Sequence, residues 1–297
     1  MCVIANTGRV AMVSTNWSTA FHVDRAEYVD ISGFTVSNAH TGVHLENAWD
    51  CGVRDVAVRG AVVGIKLMYG GYHQIKGVDL RDGQDGFMIY ESVHNWIMNS
   101  VAWSNSGDGI HLMHGSAPTH VYCCTIGGNG YRQIDTAHSN TRLELWNSIV
   151  AANGSGNACI WQYDDGGGPA QYAGDYNVFH AVNGASVGGY WRNPSSTYYA
   201  SLASWQAFST QDVHSLGADP LFASSAGDLH LRSSAADGTF VTAIDGWTNF
   251  PGQNSPGIDA GSPGDSCVNE PAWNGGIVNA GAYGNTPFAS RSADSDG

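Results

Sequence analysis

Short segments in which apolar and polar residues alternate recur at a regular spacing along the first two thirds of the chain. The clearest four are TGVHLE, VGIKLM, DGFMIY and DGIHLM. Their glycines are Gly42, Gly64, Gly86 and Gly109, separated by 22, 22 and 23 residues. An earlier copy, TAFHVD, has Ala20 at the glycine position, and a weaker later copy, RQIDTA, has Gln133 there. This spacing indicates an internal repeat of about 22 residues.

Each repeat contains two or three short β-rich segments. CGVRDVAVRG and HQIKGVDLRDG are examples, in which the alternation is interrupted by Gly, Asn, Asp or Ser. Apolar residues at helical spacing are missing between these segments, which disfavours units of strand, helix and strand. A short unit made only of strands stacks as one coil of a parallel β-solenoid, in which neighbouring coils bury each other's apolar side chains. The pattern therefore predicts an all-β protein.

The GDGI and DGF strand starts, with the Asn-rich turns before them, resemble right-handed parallel β-helix proteins of the pectate-lyase-like superfamily. The resemblance extends over about residues 20–181. It implies a single-stranded right-handed parallel β-helix with coils of about 22 residues. Members of that superfamily include polysaccharide lyases, glycoside hydrolases, epimerases, phage tailspikes and adhesins, so the resemblance is specific for the fold and broad for the reaction.

The repeat ends near Gly184 and is followed by GGYWRNPSSTYY, GADPLF, DLHLRSS and SPGIDAG. That order of motifs resembles the C-terminal part of bacterial secreted β-helix repeat proteins. It implies coils over residues 1–184, clearest over 20–181, and an irregular continuation with a loop insertion and a C-terminal cap over 185–297. The first coil has no obvious cap, and an open sheet edge favours association. We therefore expect oligomers to form through the N-terminal coil.

Composition and charge narrow the function. The 297 residues include 39 Gly and 26 acidic residues but only 12 Lys and Arg, which gives a formal net charge of −14. Nucleic-acid binding needs a basic surface, so nucleic acid is excluded as a partner. No apolar run reaches the ~20 residues of a membrane span, and MCVIANTGRV lacks the features of a signal peptide. The resemblance implies a bacterial protein that is secreted or held at the cell surface.

Alternation assigns side chains to the two faces of each strand. In GVHL the Val and Leu point to the core, so the residue between them points outward. Stacked coils lie ~4.8 Å apart, so equivalent outward residues form columns. The predicted columns are His22, His44, Lys66, Met88, His111 and Asp135, then Asp24, Glu46, Met68, Tyr90, Met113 and Ala137, and at the strand ends Asn47, Tyr69, Glu91, His114 and His138.

The middle of this face carries the residue types of a proton-transfer site. The predicted catalytic residues are Lys66, Tyr90, Glu91, His111, Arg132 and Asp135. In a polysaccharide lyase, a base removes the proton beside a uronate carboxylate while a cation neutralises the charge. Lys66, His111 or Tyr90 would be the base, and Arg132 or a bound metal would supply the cation. The calcium-binding Asp clusters and the Arg signature of pectate lyases are not recognisable.

A glycoside hydrolase is the alternative enzyme, because it needs two carboxyl groups that flank the scissile bond. Glu91 with Asp135, or Glu46 with another acid, would form that pair. Asp85 and Asp108 precede glycines at coil corners, where Asp suits a tight turn, so both are assigned to the turns. We favour a secreted enzyme that cleaves a polysaccharide, with β-elimination slightly ahead of hydrolysis. A glycan-binding or cell-surface solenoid without activity is the third hypothesis.

Two further sets of residues are candidates for binding. The predicted substrate-binding residues are His44, Glu46, Tyr69, Trp191 and Arg192, the last two in the aromatic insertion after the repeat. The predicted metal ligands are His111, His114, Asp135 and His138. Such a nitrogen-rich set suits zinc or another transition metal. A divalent cation, Ca or Zn, is therefore the one cofactor that the sequence suggests.

Overall fold

The computed structural model describes the backbone of residues 2–13 and all atoms of residues 18–138, 140–166, 170–224 and 227–293. The chain forms a parallel β-solenoid of about seven turns, with 4% of its residues helical, as the repeat predicts. Most coils contribute three short strands, one to each side of the solenoid. Parallel neighbours lie one repeat apart in sequence because each coil hydrogen-bonds to the next.

One side of the solenoid is a nine-stranded sheet. Its strands are β2 (Thr19–Asp24), β4 (Thr41–Glu46), β7 (Val63–Met68), β10 (Asp85–Tyr90), β13 (Ile110–Met113), β16 (Arg132–Thr136), β19 (Ala158–Asp164), β22 (Ser186–Arg192) and β23 (Ser195–Tyr199). All neighbours are parallel except β22 and β23, which form an antiparallel hairpin at the C-terminal edge. The aromatic insertion GGYWRNPSSTYY therefore extends this sheet.

The other two sides belong to a second sheet, whose two arms meet at the long strand β3 (Val29–Ser37). The first arm contains β5 (Gly52–Arg54), β8 (Gln74–Lys76), β11 (Asn95–Met98), β14 (Thr119–Tyr122), β17 (Arg142–Trp146) and β20 (Gln171–Asp175). The second arm contains β6 (Ala57–Arg59), β9 (Asp79–Arg81), β12 (Val101–Trp103), β15 (Thr125–Gly127), β18 (Ile149–Asn153), β21 (Val178–Val182) and β24 (Leu216–Gly217). Strand β1 (Cys2–Val13) pairs with β3, and the prediction of oligomers through the first coil concerns side chains that lie outside the described residues.

The glycines that mark the repeat lie where successive coils come closest. A Cβ atom on Gly109 would lie 2.5 Å from the carbonyl oxygen of Gln133 and 2.5 Å from Ile126 Cγ2. A Cβ on Gly64 would lie 2.6 Å from the carbonyl oxygen of Gly86. A side chain has no room at Gly64 or Gly109, so glycine allows neighbouring coils to approach closely there. The repeat in the sequence is thus a packing requirement.

Gln133 occupies the glycine position of one coil because its side chain joins a polar ladder. Asn105 donates to Asn129 Oδ1 at 3.1 Å, and Asn129 donates to Gln133 Oε1 at 3.0 Å. Gln133 in turn donates to Asn157 Oδ1 at 3.1 Å. These amides are buried, and each finds its partner on a neighbouring coil or corner. The ladder satisfies polar groups that the interior would otherwise leave unpaired.

The core is a stack of aliphatic columns inside the coils. Val43, Ile65, Phe87 and Ile110 lie in register on consecutive strands, and each is at most 1% exposed. At the C-terminal end, helix α1 (Leu202–Ser209) places the fully buried Trp205 in the same core. A Cβ on Gly188 would lie 2.0 Å from Trp205, so this helix is packed directly on β22.

The chain after α1 contains β25 (Phe222–Ser224), β26 (Asp228–Leu231), β27 (Thr239–Val241), a 3₁₀ turn (Thr242–Ile244) and β28 (Gly246–Thr248). It packs on the outer surface of the second arm, where Phe222, Leu231 and Ala282 form a second core with Trp103 and Ile149. The division of the chain near residue 184 stays a prediction. Within the described ranges, no helix has the length and apolarity needed to cross a membrane.

Candidate functional site

The outward column of the nine-stranded sheet has the register that alternation predicts. His22, His44, Lys66, Met88, His111 and Asp135 are paired strand by strand along the sheet. The column continues to Trp161, which lies opposite Asp135. The second column is also as predicted from Asp24 through Glu46, Met68 and Tyr90 to Met113. Side chains from distant repeats therefore share one face.

His111 lies between two carboxyl groups. Its Nδ1 atom is 3.6 Å from Asp108 Oδ2, and its Nε2 atom is 3.9 Å from Asp135 Oδ2. The atoms that these three residues could offer to a metal ion lie within 4.8 Å of one another. Asp135 Oδ1 is buried and has no hydrogen-bond partner among the described residues. We call Asp108, His111 and Asp135 the acid–histidine cluster.

Burial shifts the acidity of all three groups. It raises the pKa of Asp135 to about 8, with the neighbouring charge of Asp108 acting in the same direction. It raises the pKa of Asp108 to about 6, although the backbone N–H of Arg132 opposes this by donating to Oδ1 at 2.8 Å. It lowers the pKa of His111 below its ordinary value. Near pH 7 the cluster therefore holds a protonated Asp135, an ionised Asp108 and a neutral His111.

Arg132, predicted as the cation of the site, is buried behind it. Its guanidinium lies 3.7 Å from the ring centre of Trp161 and 4.6 Å from that of Tyr131. The side chain is held further by a hydrogen bond from Nη1 to the carbonyl oxygen of Gly156. Arg132 is only 5% exposed, so it is covered by aromatic rings and is not presented to a ligand on the face.

A line of aromatic rings runs along the carboxyl ends of the same strands. Successive ring centres are 5.4, 5.0, 3.6, 6.4 and 4.0 Å apart. The line consists of Tyr69, Tyr90, His114, His138, Tyr163 and Trp191. We call it the aromatic ridge. It unites the predicted Tyr69, Tyr90 and Trp191 with two histidines that sequence reasoning had assigned to a metal.

The predicted metal set of His111, His114, Asp135 and His138 does not form in the described part of the chain. Its two halves separate because His114 lies three residues after His111, ~10 Å along the strand. The rings of His114 and His138 stack at 3.6 Å, and His138 Nδ1 meets Asp165 Oδ2 at 3.4 Å. Asp108 takes their place beside His111 and Asp135.

A second group of possible ligands lies at the N-terminal end of the face. The rings of His22 and His44 stack at 4.6 Å, and His22 Nε2 is 3.0 Å from Glu46 Oε2. The atoms that the three residues could offer to a metal ion lie within 4.8 Å of one another. His44 Nε2 is buried without a hydrogen-bond partner among the described residues. Burial and the neighbouring Lys66 lower the pKa of His44, so its imidazole is neutral near pH 7. We call His22, His44 and Glu46 the N-terminal cluster.

The remaining predicted residues lie at the edges of the face. Lys66 is half-buried between these clusters, and Glu91 is exposed at the corner after β10. Trp191 stacks on Tyr163 at 4.0 Å, and Arg192 Nε is 3.5 Å from Asp164 Oδ2. Trp191 and Arg192 therefore belong to the C-terminal end of the face, three strands beyond His111.

The sequence pattern assigns Asp108 to a turn. The structure shows that it serves the corner and the face together, because Oδ1 accepts the Arg132 N–H while Oδ2 faces His111. Asp85 does the first of these for the preceding coil, accepting the Asp108 N–H at 2.9 Å. Strand alternation does not place residues three apart on one face, so the contact of Asp108 with His111 depends on the bend of the chain at the corner.

Fold and face together define a parallel β-helix protein with an outward-facing polar and aromatic surface. A family model described as periplasmic copper-binding protein (NosD) matches residues 4–199. The chain belongs to this family, whose members are right-handed parallel β-helices.

Two solved structures are similar to the chain at low identity. An alginate lyase from Paenibacillus sp. str. FPU-7 is 14% identical, with a TM-score of 0.43 over 62% of this chain and 84% of that chain. Pectate lyase Pel9A is 12% identical, with a TM-score of 0.47 over 92% of this chain and 85% of that chain. No curated protein matches the sequence significantly. The family assignment rests on the family model alone.

Proposed function

We propose that the protein cleaves a uronate-containing polysaccharide by β-elimination at the acid–histidine cluster. The observation that carries the proposal is the position of His111 between two buried carboxyl groups, only one of which is protonated near pH 7. Groups whose environments drive their pKa values apart are the usual arrangement for acid–base chemistry.

The aromatic ridge supports a polysaccharide as the substrate. His114 stacks on His138 and Tyr163 stacks on Trp191, so the ridge presents ring edges, imidazole nitrogens and tyrosine hydroxyls outward. Such groups contact the C–H groups and hydroxyls of sugars. Six rings in five coil steps extend ~24 Å, the length of several sugar units. Ridge residues lie two or three positions after the residues of the column that contains His111, so the ridge runs ~7 to 10 Å from that column. A chain bound along the ridge would therefore pass beside the cluster.

The cluster has one group for each part of an elimination. Nε2 of neutral His111 removes the proton on the carbon beside the uronate carboxylate, while Asp108 orients the ring from Nδ1. Protonated Asp135 donates a hydrogen bond to the substrate carboxylate as it gains enolate character, which is the role of a carboxylic acid kept neutral. The new C=C bond expels the glycosidic oxygen, and His111 returns the proton to it. Lys66 could form an ion pair with the carboxylate of a second uronate unit of the polysaccharide.

Incubation with alginate, polygalacturonate, xylan and cellulose tests the reaction. We expect unsaturated, ultraviolet-absorbing ends from one of the two polyuronates and none from the neutral polymers. The rate should rise as pH increases through about 6, where Asp108 ionises, and fall through about 8, where Asp135 loses its proton. Reducing ends without unsaturation would show hydrolysis, and binding without products would show a glycan-binding protein.

The Asp135→Asn variant separates these mechanisms. An asparagine amide still donates a hydrogen bond but does not ionise, so the lyase should keep activity and lose the decline above pH 8. A hydrolase that needs the Asp135 proton would be inactive as the same variant. A divalent cation at the cluster, Ca or Zn, is a further proposal. Loss of activity on chelation would indicate that a bound metal, and not the Asp135 proton, neutralises the substrate carboxylate.

Copper binding at the N-terminal cluster is a second candidate function, because the family model carries that description. The observation that favours it is the free, buried Nε2 of neutral His44 beside His22 and Glu46. Two imidazoles and a carboxylate fit Cu(II), whereas Cu(I) prefers sulfur ligands. The side chains of His22, His44 and Glu46 would hold the bound Cu(II) ion.

Titration with Cu(II), followed by electron paramagnetic resonance, tests this function without reference to activity. We expect one site with nitrogen hyperfine structure that is lost in His44→Ala. His120→Ala is the matched control, because His120 lies on the first arm of the second sheet, paired with Glu144 at 2.8 Å. A copper signal unchanged in His44→Ala would contradict the assignment. A periplasmic or extracellular location is part of this proposal, and the family description supports it.

A further inference from the structure

A second site lies at a corner of the solenoid, away from the face described above. Tyr28, Asp50, Tyr72 and His94 occupy equivalent positions on four consecutive coils, each in the left-handed region with φ of 58°, 53°, 57° and 54°. The backbone ladder fixes this column. Tyr28 N–H donates to Trp49 O, Asp50 N–H to Gly71 O and Tyr72 N–H to Val93 O, at 3.2, 3.0 and 2.9 Å.

Asp50 is the gap in a column that is otherwise aromatic or imidazole. The rings of Tyr72 and His94 stack at 4.9 Å with an interplanar angle of 11°, which fills the space between their coils. On the other side of Tyr72, the short Asp50 leaves a cleft of about 270 Å³ lined by Tyr28 and Tyr72. These tyrosines are 57% and 50% exposed. We call this cleft the corner slot.

The tyrosines of the corner slot are held in place but remain accessible. Tyr72 stacks on His94, and the tilted ring of Trp49 contacts it at 6.0 Å. Half of Tyr72 and more than half of Tyr28 stay exposed, so both rings can contact a ligand in the slot. A sugar ring carries C–H groups that pack on aromatic rings and hydroxyls that reach polar groups. The cleft volume also lies just below the ~300 Å³ at which pockets for larger ligands begin, which suits one sugar unit.

The floor of the corner slot is polar and is formed by an ion pair. Asp30 lies across Gly52, where a Cβ would come within 1.9 Å of its carboxylate. Arg54 Nη1 holds the same carboxylate at 3.2 Å, so a charged pair lies ready at the base of the slot. Asp50 adds a second carboxylate at the corner. Carboxylates and a guanidinium accept from and donate to pairs of sugar hydroxyls.

The charges decide which sugar fits. Two carboxylates and one guanidinium leave the slot with a net negative charge, on a protein whose formal net charge is −14. A uronate would be repelled, whereas a hydroxyl or an ammonium group would be accepted. The geometry points to the corner slot as a binding site for a single neutral or amino sugar unit of a glycan, in contact with the exposed rings of Tyr28 and Tyr72. It stands apart from cleavage at the acid–histidine cluster.

Filling the gap tests the site. Asp50→Tyr would continue the column with a residue that the same corner already holds at Tyr28 and Tyr72, so the fold should keep its melting temperature. Binding of cellopentaose, mannopentaose, a glucosamine pentamer and a galacturonate pentamer would be measured by calorimetry. We expect a neutral or amino pentamer to bind the parent protein, to bind Tyr72→Ala about thirtyfold more weakly, and not to bind Asp50→Tyr.

Tyr176→Ala is the matched control, because Tyr176 is also a left-handed corner tyrosine stacked on a histidine, His214, at 4.8 Å. It should bind as tightly as the parent. The measurements use the full chain with His111→Ala as a shared background, so that no pentamer is consumed by cleavage. Binding that survives in Asp50→Tyr, or binding of the galacturonate pentamer alone, would overturn the proposal. Neither outcome bears on the elimination reaction.

Discussion

Replacing His111 with alanine is expected to lower the rate of polysaccharide cleavage by a factor of about 10² to 10⁴, the usual contribution of a general base. The imidazole is neutral near pH 7, so it can accept a proton, and it has a carboxyl group on either side. Its removal leaves Asp108 and Asp135 in place but takes away the base. The measurement is the initial rate of unsaturated product formation at saturating substrate.

His120→Ala provides the control for this variant. His120 is half-buried on the opposite sheet, stacked on Trp96 at 4.1 Å, so its loss removes a comparable side chain from the solenoid without touching the face. The control should retain the parent rate. A His111→Ala protein with the parent rate would place the chemistry elsewhere, and Lys66 and Tyr90 would become the remaining candidates for the base.

Replacing Gly109 with alanine is expected to destabilise the fold by ~3 kcal/mol, at the upper end for overpacking. The added methyl group would lie 2.5 Å from the Gln133 carbonyl oxygen, a backbone atom that cannot rotate away. Relief requires neighbouring coils to separate, which weakens the hydrogen bonds between them. Thermal unfolding should show a melting temperature lower by about 5 °C.

Gly227→Ala is the matched substitution, since a Cβ there meets nothing within 4 Å and its φ is not in the left-handed region. It should melt as the parent does. If Gly109→Ala also melts as the parent, the glycine column does not set the coil spacing, and another cause of the repeat must be sought.

The fold could be predicted because its physical requirements repeat. One coil needs a glycine at the closest approach and inward aliphatic residues on either side of an outward position, and the chain meets that need many times. Alternation then fixed the outward column from His22 to Asp135, which the strand register confirms. One residue alone would be weak support for this fold, whereas a period shared by several coils is specific for a solenoid.

The site was harder to predict because it depends on how side chains leave the corners. Asp108 has the ordinary sequence of a turn, and nothing in that sequence shows that one oxygen is free to face His111. Arg132 reads as an exposed cation until Trp161, one coil later, is seen to cover it. The stacking of His114 on His138 likewise depends on rotamers that a linear pattern does not contain.

The return of the C-terminal chain along the second arm has a consequence for how the solenoid comes apart. A stack of coils joined only to their neighbours frays from its ends, one unit at a time. Here Asn99 donates to the carbonyl oxygens of Ala282 and Gly284, and Arg81 donates to that of Gly227. These bonds tie coils in the middle of the stack to the last part of the chain. The C-terminal chain therefore cannot detach without releasing contacts on coils that are distant in sequence, so the opening of these regions is coupled.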